Sequence, residues 1–274
     1  MAETSFKGVG PVVLIGAGKM GLALARGWIA AGLPPDELVL VDPAPGEATA
    51  SFAEQAGVRL LDTATGVLVA VLVLAVKPQV MPGVLEGLRP MVGGHTLVIS
   101  IAAGIPIRTI AEGLHTQRVV RTMPNTPAQV GKGITGAVAG EAVSEADRQL
   151  ADKLLSAAGQ VAWFGDEAMI DAVTAVSGSG PAYVFHFVEA LAAAGIRHGF
   201  APEQAMQLAR QTVIGAAALL EADPAPAAVL RQNVTSPKGT TEAALEVLMA
   251  PNGLVNLMEK TVLAAKLRSE ELGR

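Results

Sequence analysis

Apolar residues in the first half of the chain come in short unbroken runs: Val12-Val13-Leu14-Ile15, Leu38 to Val41, Val67 to Val76, Thr96 to Ile101, Arg118 to Met123, Gly133 to Ala139 and Gln160 to Phe164. Unbroken rather than alternating runs predict strands buried on both faces, the pattern of a parallel sheet between two layers of helices. Helical stretches fall between them, such as Met20 to Ala31, closed by Gly32, and Glu145 to Ala158, opened by Ser144 with Asp147 at a capping-box spacing. The longest apolar run, Thr63 to Val76, stops at Lys77. At about 14 residues it is short of the roughly 20 that cross a bilayer, and it reads as a buried strand.

Beyond Asp166 the strand signals stop. Long Ala-, Leu- and Val-rich stretches follow: Asp166 to Val176, Pro181 to Ala194, Pro202 to Glu221, Thr241 to Met249 and Asn252 to Leu272. These predict helices, and several, Ala182 to Ala194 above all, are apolar around most of their circumference and call for burial on every side. The expected fold class is therefore α/β, with a doubly wound parallel sheet over residues 1–165 and an all-helical domain over 166–274. Helices this apolar also predict that the second half interlocks with another copy of the chain.

Composition sharpens this picture. At 274 residues, 51% hydrophobic and 16% charged, the chain is too apolar to be disordered, and its length suits two ordinary domains. A formal net charge of -5 argues against a nucleic-acid partner, which clustered Lys and Arg would attract. With no cysteine there is no disulfide and no thiolate chemistry, as suits a cytoplasmic protein. The stretch Met1 to Gly10, with Glu3 and Lys7, has no apolar core of the kind an export signal carries. His95, His115, His186 and His198 show no metal-ligand spacing, and His186, between Phe185 and Phe187, reads as a core or interface residue.

Four motifs carry candidate chemistry. Gly16-Ala17-Gly18-Lys19-Met20-Gly21 follows the first strand and opens a helix. That order suits a tight turn at Gly16, backbone approach to a pyrophosphate at Gly18 and close helix packing at Gly21, although a Gly-rich turn alone would look the same. Asp42, ending the second strand, is placed to accept from ribose hydroxyls, and no Arg lies between Asp42 and Val58 to hold a 2′-phosphate, which leans toward NAD. Ala75-Val76-Lys77-Pro78-Gln79 ends another strand, where ligands of doubly wound sheets bind; the alternative is a surface Lys starting a helix. Arg121 to Pro127 ends a strand in a loop stiffened by Pro124 and Pro127, either shaping a site or forming a plain turn.

In the helical half, Ser177-Gly178-Ser179-Gly180-Pro181-Ala182-Tyr183 predicts a kink that a ligand or a partner helix approaches closely. The hydroxyl-rich run Asn233 to Glu242 precedes a helix start and fits a small carboxylate, or else an ordinary Ser/Thr cap.

Taken in order over essentially the whole chain, these segments resemble the pyrroline-5-carboxylate reductase family. The glycine loop alone is shared by many dehydrogenases, whereas Ala75 to Gln79, Met123 to Pro127, Ser177 to Tyr183 and Val234 to Thr241 are far more specific. The resemblance implies an N-terminal Rossmann domain, a helical dimerisation domain, a homodimer or ring of dimers, and reduction of a cyclic imino acid by NADPH or NADH. It implies that backbone amides of Gly239, Thr240 and Thr241 hold the substrate carboxylate, with the Thr241 hydroxyl near the ring nitrogen as the catalytic group. By the same resemblance Glu167 is a substrate-site acid. Gly16, Gly18, Lys19, Met20, Gly21, Asp42, Asp62, Ala75, Val76, Lys77, Pro78 and Asn233 contact the cofactor. Asp62 stands where the family usually has Asn, and Ala70 where a strand usually carries Asp. A β-hydroxyacid dehydrogenase would want a catalytic Lys on the first helix of the second half, and Asp166 to Val176 has none. A non-catalytic dinucleotide-binding regulator would keep the glycine loop but have no use for Gly239 to Thr241.

Overall fold

The structure, a computed structural model, describes residues 6, 9–67 and 69–273. Glu3 and Lys7, on which the expectation of no export signal rests, lie outside the described residues, as does Leu68 in the long apolar run.

The chain builds β1 (Val12–Ile15), α1 (Lys19–Ala30), β2 (Leu38–Val41), α2 (Glu47–Ala56), β3 (Arg59–Leu61), β4 (Val71–Leu74), α3 (Met81–Leu88), β5 (Leu97–Ser100) and α4 (Ile107–Leu114). Next come β6 (Val119–Met123), β7 (Gly133–Ala139), α5 (Glu145–Ser156) and β8 (Gly159–Phe164). The sheet order is β3-β2-β1-β4-β5-β6-β7-β8. Every residue of β1, β2, β4 and β5 is buried because each strand has a helix layer on both sides. Val12, Leu14, Leu38 and Leu40 face Leu24 and Trp28 of α1 and Leu154 of α5. On the other face, Val13, Ile15, Val39 and Val41 meet Met81 and Leu85 of α3 and Ile110 of α4.

Two expectations need correction. The sheet is parallel except at β6 and β7, which pair antiparallel, Val120 opposite Ala139 and Met123 opposite Gly136. Only a short loop joins them, carrying a 3-10 turn at Thr126–Val130, and without a crossover helix the chain can only fold back. Among its described residues, the run from Thr63 is strand over Val71–Leu74, and Thr63 to Thr65 are loop.

Helix α5 begins as its sequence predicts. The Ser144 hydroxyl accepts from the Asp147 N–H, and the Asp147 carboxylate accepts from the Ser144 N–H at 3.0 Å. Arg118 also grips Asp147 through Nε at 3.2 Å and through Nη2. Burial pushes the Asp147 carboxyl up, but the Arg118 guanidinium and the Ser144 bonds outweigh it and hold the group below its ordinary value.

A second pair, half-buried at Glu167, ties the end of the sheet to the first residues of the helical half. Arg121 of β6, 5% exposed, donates from Nη1 to Glu167 Oε1 at 2.9 Å, and the same oxygen accepts from the Ile107 N–H at the start of α4, at 2.7 Å. After Glu167 come α6 (Met169–Val173) and a π-helical turn over Thr174–Gly178. This turn takes in Ser177 and Gly178 of the stretch Ser177 to Tyr183. The end of β6 approaches it: the Asn125 side chain donates to Ser177 O at 3.1 Å, and a Cβ on Gly178 would lie 2.8 Å from Met123 Cε.

By packing, residues Met1–Gly178 and Ala265–Arg274 form one compact unit and Ser179–Ala264 a second. The second holds α7 (Gly180–Arg197), α8 (Pro202–Ala222), α9 (Ala227–Asn233), α10 (Thr240–Leu248) and most of α11 (Leu254–Leu272). Its buried core is small: Ala192 of α7 against Ala205 and Ala209 of α8. Phe185, Ile214, Leu219, Val247 and Val255 are exposed. His186 is exposed too, 3.0 Å from Glu189, so within one chain it is not a core residue.

The Asp147 cluster predicts a pH dependence of stability. A carboxyl held below its unfolded value of about 3.8 stabilises the fold above that pH, and the stabilisation is lost as pH falls through the folded value. Asp147→Asn should therefore lower unfolding free energy by about 1 to 3 kcal/mol at pH 7. In urea titrations the deficit should shrink below about pH 4; an equal deficit at pH 7 and pH 3 would disprove the charge contribution.

Candidate active site

Strand β1 runs directly into the glycine loop. Gly16 has φ +89, and a Cβ there would fall 2.8 Å from Ala75 O, so both conformation and close approach demand glycine. A Cβ on Gly21 would strike Gly16 O. Gly18 differs, because a Cβ there would meet nothing within 4 Å. The protein leaves that space free, on the wall of a cavity of about 630 Å³. Gly18 is also the N-cap of α1 and no side chain caps it, so the Lys19 and Met20 N–H groups at the positive end of the helix stay open to an anion.

The cavity brings together Gly16, Gly18, Asp42, Asp62, Ala75, Val76 and Lys77. Topology explains the meeting: β1, β2 and β4 are parallel neighbours, so their carboxyl ends and the loops that leave them share one edge. A backbone bond from the Asp42 N–H to Leu61 O at 2.9 Å brings Asp62, just after β3, to the same wall. Pro78 is not on the wall; it starts a 3-10 turn and keeps Lys77 extended, at φ -65 and ψ 144. Val80, Val84, Leu88 and Met91 give the cavity an apolar side.

The Asp42 carboxylate is fixed at both oxygens. Oδ2 accepts from the Ala17 N–H at 2.9 Å and Oδ1 from the Ala44 N–H at 3.0 Å. The C=O of the same Ala17 accepts from the Thr49 hydroxyl at 2.7 Å. An open glycine wall, an uncapped helix start and a fixed carboxylate at the strand edge fit the pyrophosphate and ribose of a dinucleotide. Glu167 lies in the same compact unit, with its carboxylate engaged by Arg121 and Ile107. Sequence reasoning missed three polar residues here: Thr49, and Thr63 and Thr65 on the cavity wall, hidden in a run that reads as a strand.

The second unit gathers the other predicted residues. Asn233 ends α9, and beyond it lies a turn in which the Gly239 N–H donates to Ser236 O at 3.0 Å. Pro237 and Lys238 occupy its middle, and Lys238 takes the positive φ of 58 that such a turn requires. Glu242 Oε2 accepts from the Lys238 N–H at 2.6 Å and so braces the turn. Of the three amides expected to hold a carboxylate, that of Gly239 closes this turn. The Thr240 and Thr241 N–H groups, first in α10, have no intrahelical acceptor, and no side chain caps the helix. Thr241 is half-buried, Thr240 and Asn233 exposed.

Among the described residues no cluster of metal-binding side chains occurs, and no helix is long and apolar enough to cross a membrane. Residues 167–272 match the family model for pyrroline-5-carboxylate reductase dimerisation, and 11–104 a model for NADP oxidoreductase, coenzyme F420-dependent. The chain is 44% identical to the pyrroline-5-carboxylate reductase of Pseudomonas aeruginosa, over 95% of its own length and 96% of that protein. The structure of such a reductase from Coxiella burnetii superposes with a TM-score of 0.89 at 37% identity, covering 97% of this chain and 99% of that one. The Plasmodium falciparum pyrroline carboxylate reductase, solved with NADP bound, gives 0.80 at 28% identity, covering 96% of this chain and 98% of that one. With likeness of this extent across both units, the chain belongs to the pyrroline-5-carboxylate reductase family.

Proposed function

We propose that the protein is a cytoplasmic enzyme that reduces 1-pyrroline-5-carboxylate to L-proline with NADH or NADPH, the last step of proline biosynthesis. The observation that carries this reading is the start of α10, where two adjacent N–H groups stand open beside the half-buried Thr241 hydroxyl. That arrangement suits a small anion with a polar atom close to its carboxylate, as a ring imino acid has.

The glycine loop, with the Lys19 and Met20 amides, would hold the cofactor's pyrophosphate, and Asp42 its ribose; Asp62, Ala75, Val76, Lys77 and Asn233 complete its contacts. When bound, the nicotinamide supplies a hydride to the ring carbon. This chain's own task is then mainly orientation. The Thr240 and Thr241 amides fix the carboxylate, and the Thr241 hydroxyl aligns the ring nitrogen, which already carries its proton in the iminium form. No His or Lys acid is required for that. Glu167 serves through Arg121 and α4, an indirect role at the substrate site. Between the two cofactors we favour NADH, because the Asp42 and Asp62 carboxylates share the cavity with Lys77, the one cation among its described lining residues, and a 2′-phosphate would meet net repulsion.

The helical unit is assigned to a homodimer, alone or in a ring of dimers, since a core of three buried alanines leaves Phe185, Val247 and Val255 uncovered. Sedimentation at micromolar concentration should give a dimer or larger; a folded, active monomer would rule this out.

Activity is tested directly by following oxidation of NADH and NADPH with pyrroline-5-carboxylate, beside a 3-hydroxyacid with the oxidised cofactors. Turnover is expected with the imine alone, and its absence there would overturn the reading. Thr241→Val keeps shape and backbone amide but deletes the hydroxyl, and should cost about 2 to 4 kcal/mol in kcat/KM, roughly thirty- to a thousandfold. Cofactor affinity should hardly move; wild-type kcat/KM would leave the hydroxyl without a catalytic part. Asp42→Ser should raise kcat/KM for NADPH relative to NADH by at least about tenfold, and an unchanged ratio would remove Asp42 from cofactor choice.

A further inference from the structure

The Thr49 hydroxyl differs from those of three other threonines in helical segments. Thr174, Thr212 and Thr261 each donate to the C=O four residues back, within their own segment. Thr49, in the first turn of α2, donates instead to Ala17 O, 32 residues earlier, at 2.7 Å. It is 3% exposed, so this bond forms away from water. The N–H of the same Ala17 is held by Asp42 Oδ2. One residue of the glycine loop is thus gripped on both sides by the segment beyond β2.

The consequence lies in the direction of the next amides. With the Ala17 N–H bound to Asp42 and its C=O to Thr49, the residue cannot rotate, and the chain enters Gly18 and the start of α1 in one orientation. A Cβ on Gly18 would meet nothing within 4 Å, and no side chain caps the helix start there. Without the Thr49 donor, a buried C=O would be unpaired, and the loop would be expected to turn to satisfy it.

We infer that Thr49 is a cofactor-positioning residue: it fixes the pyrophosphate loop through Ala17 and touches no ligand itself. The inference rests on the dinucleotide reading of the cavity and adds a residue that acts through the loop. It also separates two properties. Asp42 reads the ribose and so governs the choice between cofactors, whereas Thr49 acts on the pyrophosphate, which NADH and NADPH share. Loss of the Thr49 hydroxyl weakens both dinucleotides alike and leaves their ratio unchanged.

The test is titration of the intact protein with NADH and with NADPH, followed by nucleotide fluorescence, for wild type, Thr49→Val and Thr49→Ser. Thr49→Val is expected to raise both dissociation constants about tenfold. Their ratio, the KM for the imine and kcat at saturating cofactor should each stay within about twofold, since no ligand contact is removed. Thr49→Ser retains the hydroxyl and should bind as wild type does. Melting curves ensure that binding is read on folded protein; should Thr49→Val not fold, Thr49→Ala carries the same expectation. Unchanged cofactor affinity in the hydroxyl-free variant would overturn the inference, and so would a Thr49→Ser as weak as Thr49→Val, or a weakening confined to one cofactor. Failure of the wild type to bind either dinucleotide would instead overturn the reading of the cavity, and this inference with it.

Discussion

The close approach of α1 to β1 and β4 governs the first unit. Gly21 lies so near Gly16 O, and Gly16 so near Ala75 O, that neither position has room for a Cβ. An alanine at either would push the helix away from the sheet, and the open end of the helix would no longer meet the edge where Asp42 and Lys77 converge. Apolar burial supplies the force behind this contact. Leu24 and Trp28 of α1 are fully buried against the sheet, and the Trp28 indole donates to Leu154 O at 2.7 Å, which fixes α1 to α5. Packing sets the distance, and two glycines make that distance possible.

Polar side chains then set orientation. Every one of the key contacts is made to backbone: Asp42 to the Ala17 and Ala44 amides, Thr49 to Ala17 O, Glu167 to the Ile107 amide. A carboxylate or hydroxyl that holds main chain fixes a loop in a way that apolar contact, which is non-directional, does not. Arg121 differs, because its contact is with another side chain. Its Nη1 pairs with Glu167, but its Nε is buried without a partner. Such a group weakens the pair unless the surrounding packing holds it, and β6 is enclosed by β5 and β7.

The second unit obeys a different balance. Its helices are long and apolar, yet within one chain they bury little more than Ala192, Ala205 and Ala209. Small residues at that contact let α7 and α8 approach closely and leave the larger side chains pointing outward. Phe185, Val247 and Val255 stay exposed in the single chain, so the apolar surface of this unit far exceeds what its own core buries.

The sequence by itself determined whatever is encoded over a few neighbouring residues. Unbroken apolar runs specified β1, β2, β4 and β5, because burial on both faces leaves Ser100, at the end of β5, as their one polar residue. Ser144 and Asp147 specified the start of α5, since a capping box is complete within four residues. The order Gly16, Gly18, Gly21 after a strand specified the loop. Tertiary structure alone decided how distant segments meet. Asp42 was legible as an acid ending a strand, but its bond to Ala17 crosses 25 residues, and Thr49 gave no local sign at all. Glu167 reaches 46 residues to Arg121 and 60 to Ile107. The reversal at β7 and the turn that occupies the Gly239 amide were likewise hidden. Periodicity and caps record what a segment does with its own neighbours; a single polar side chain carries no mark of the partner it will find once the sheet has set the loops side by side.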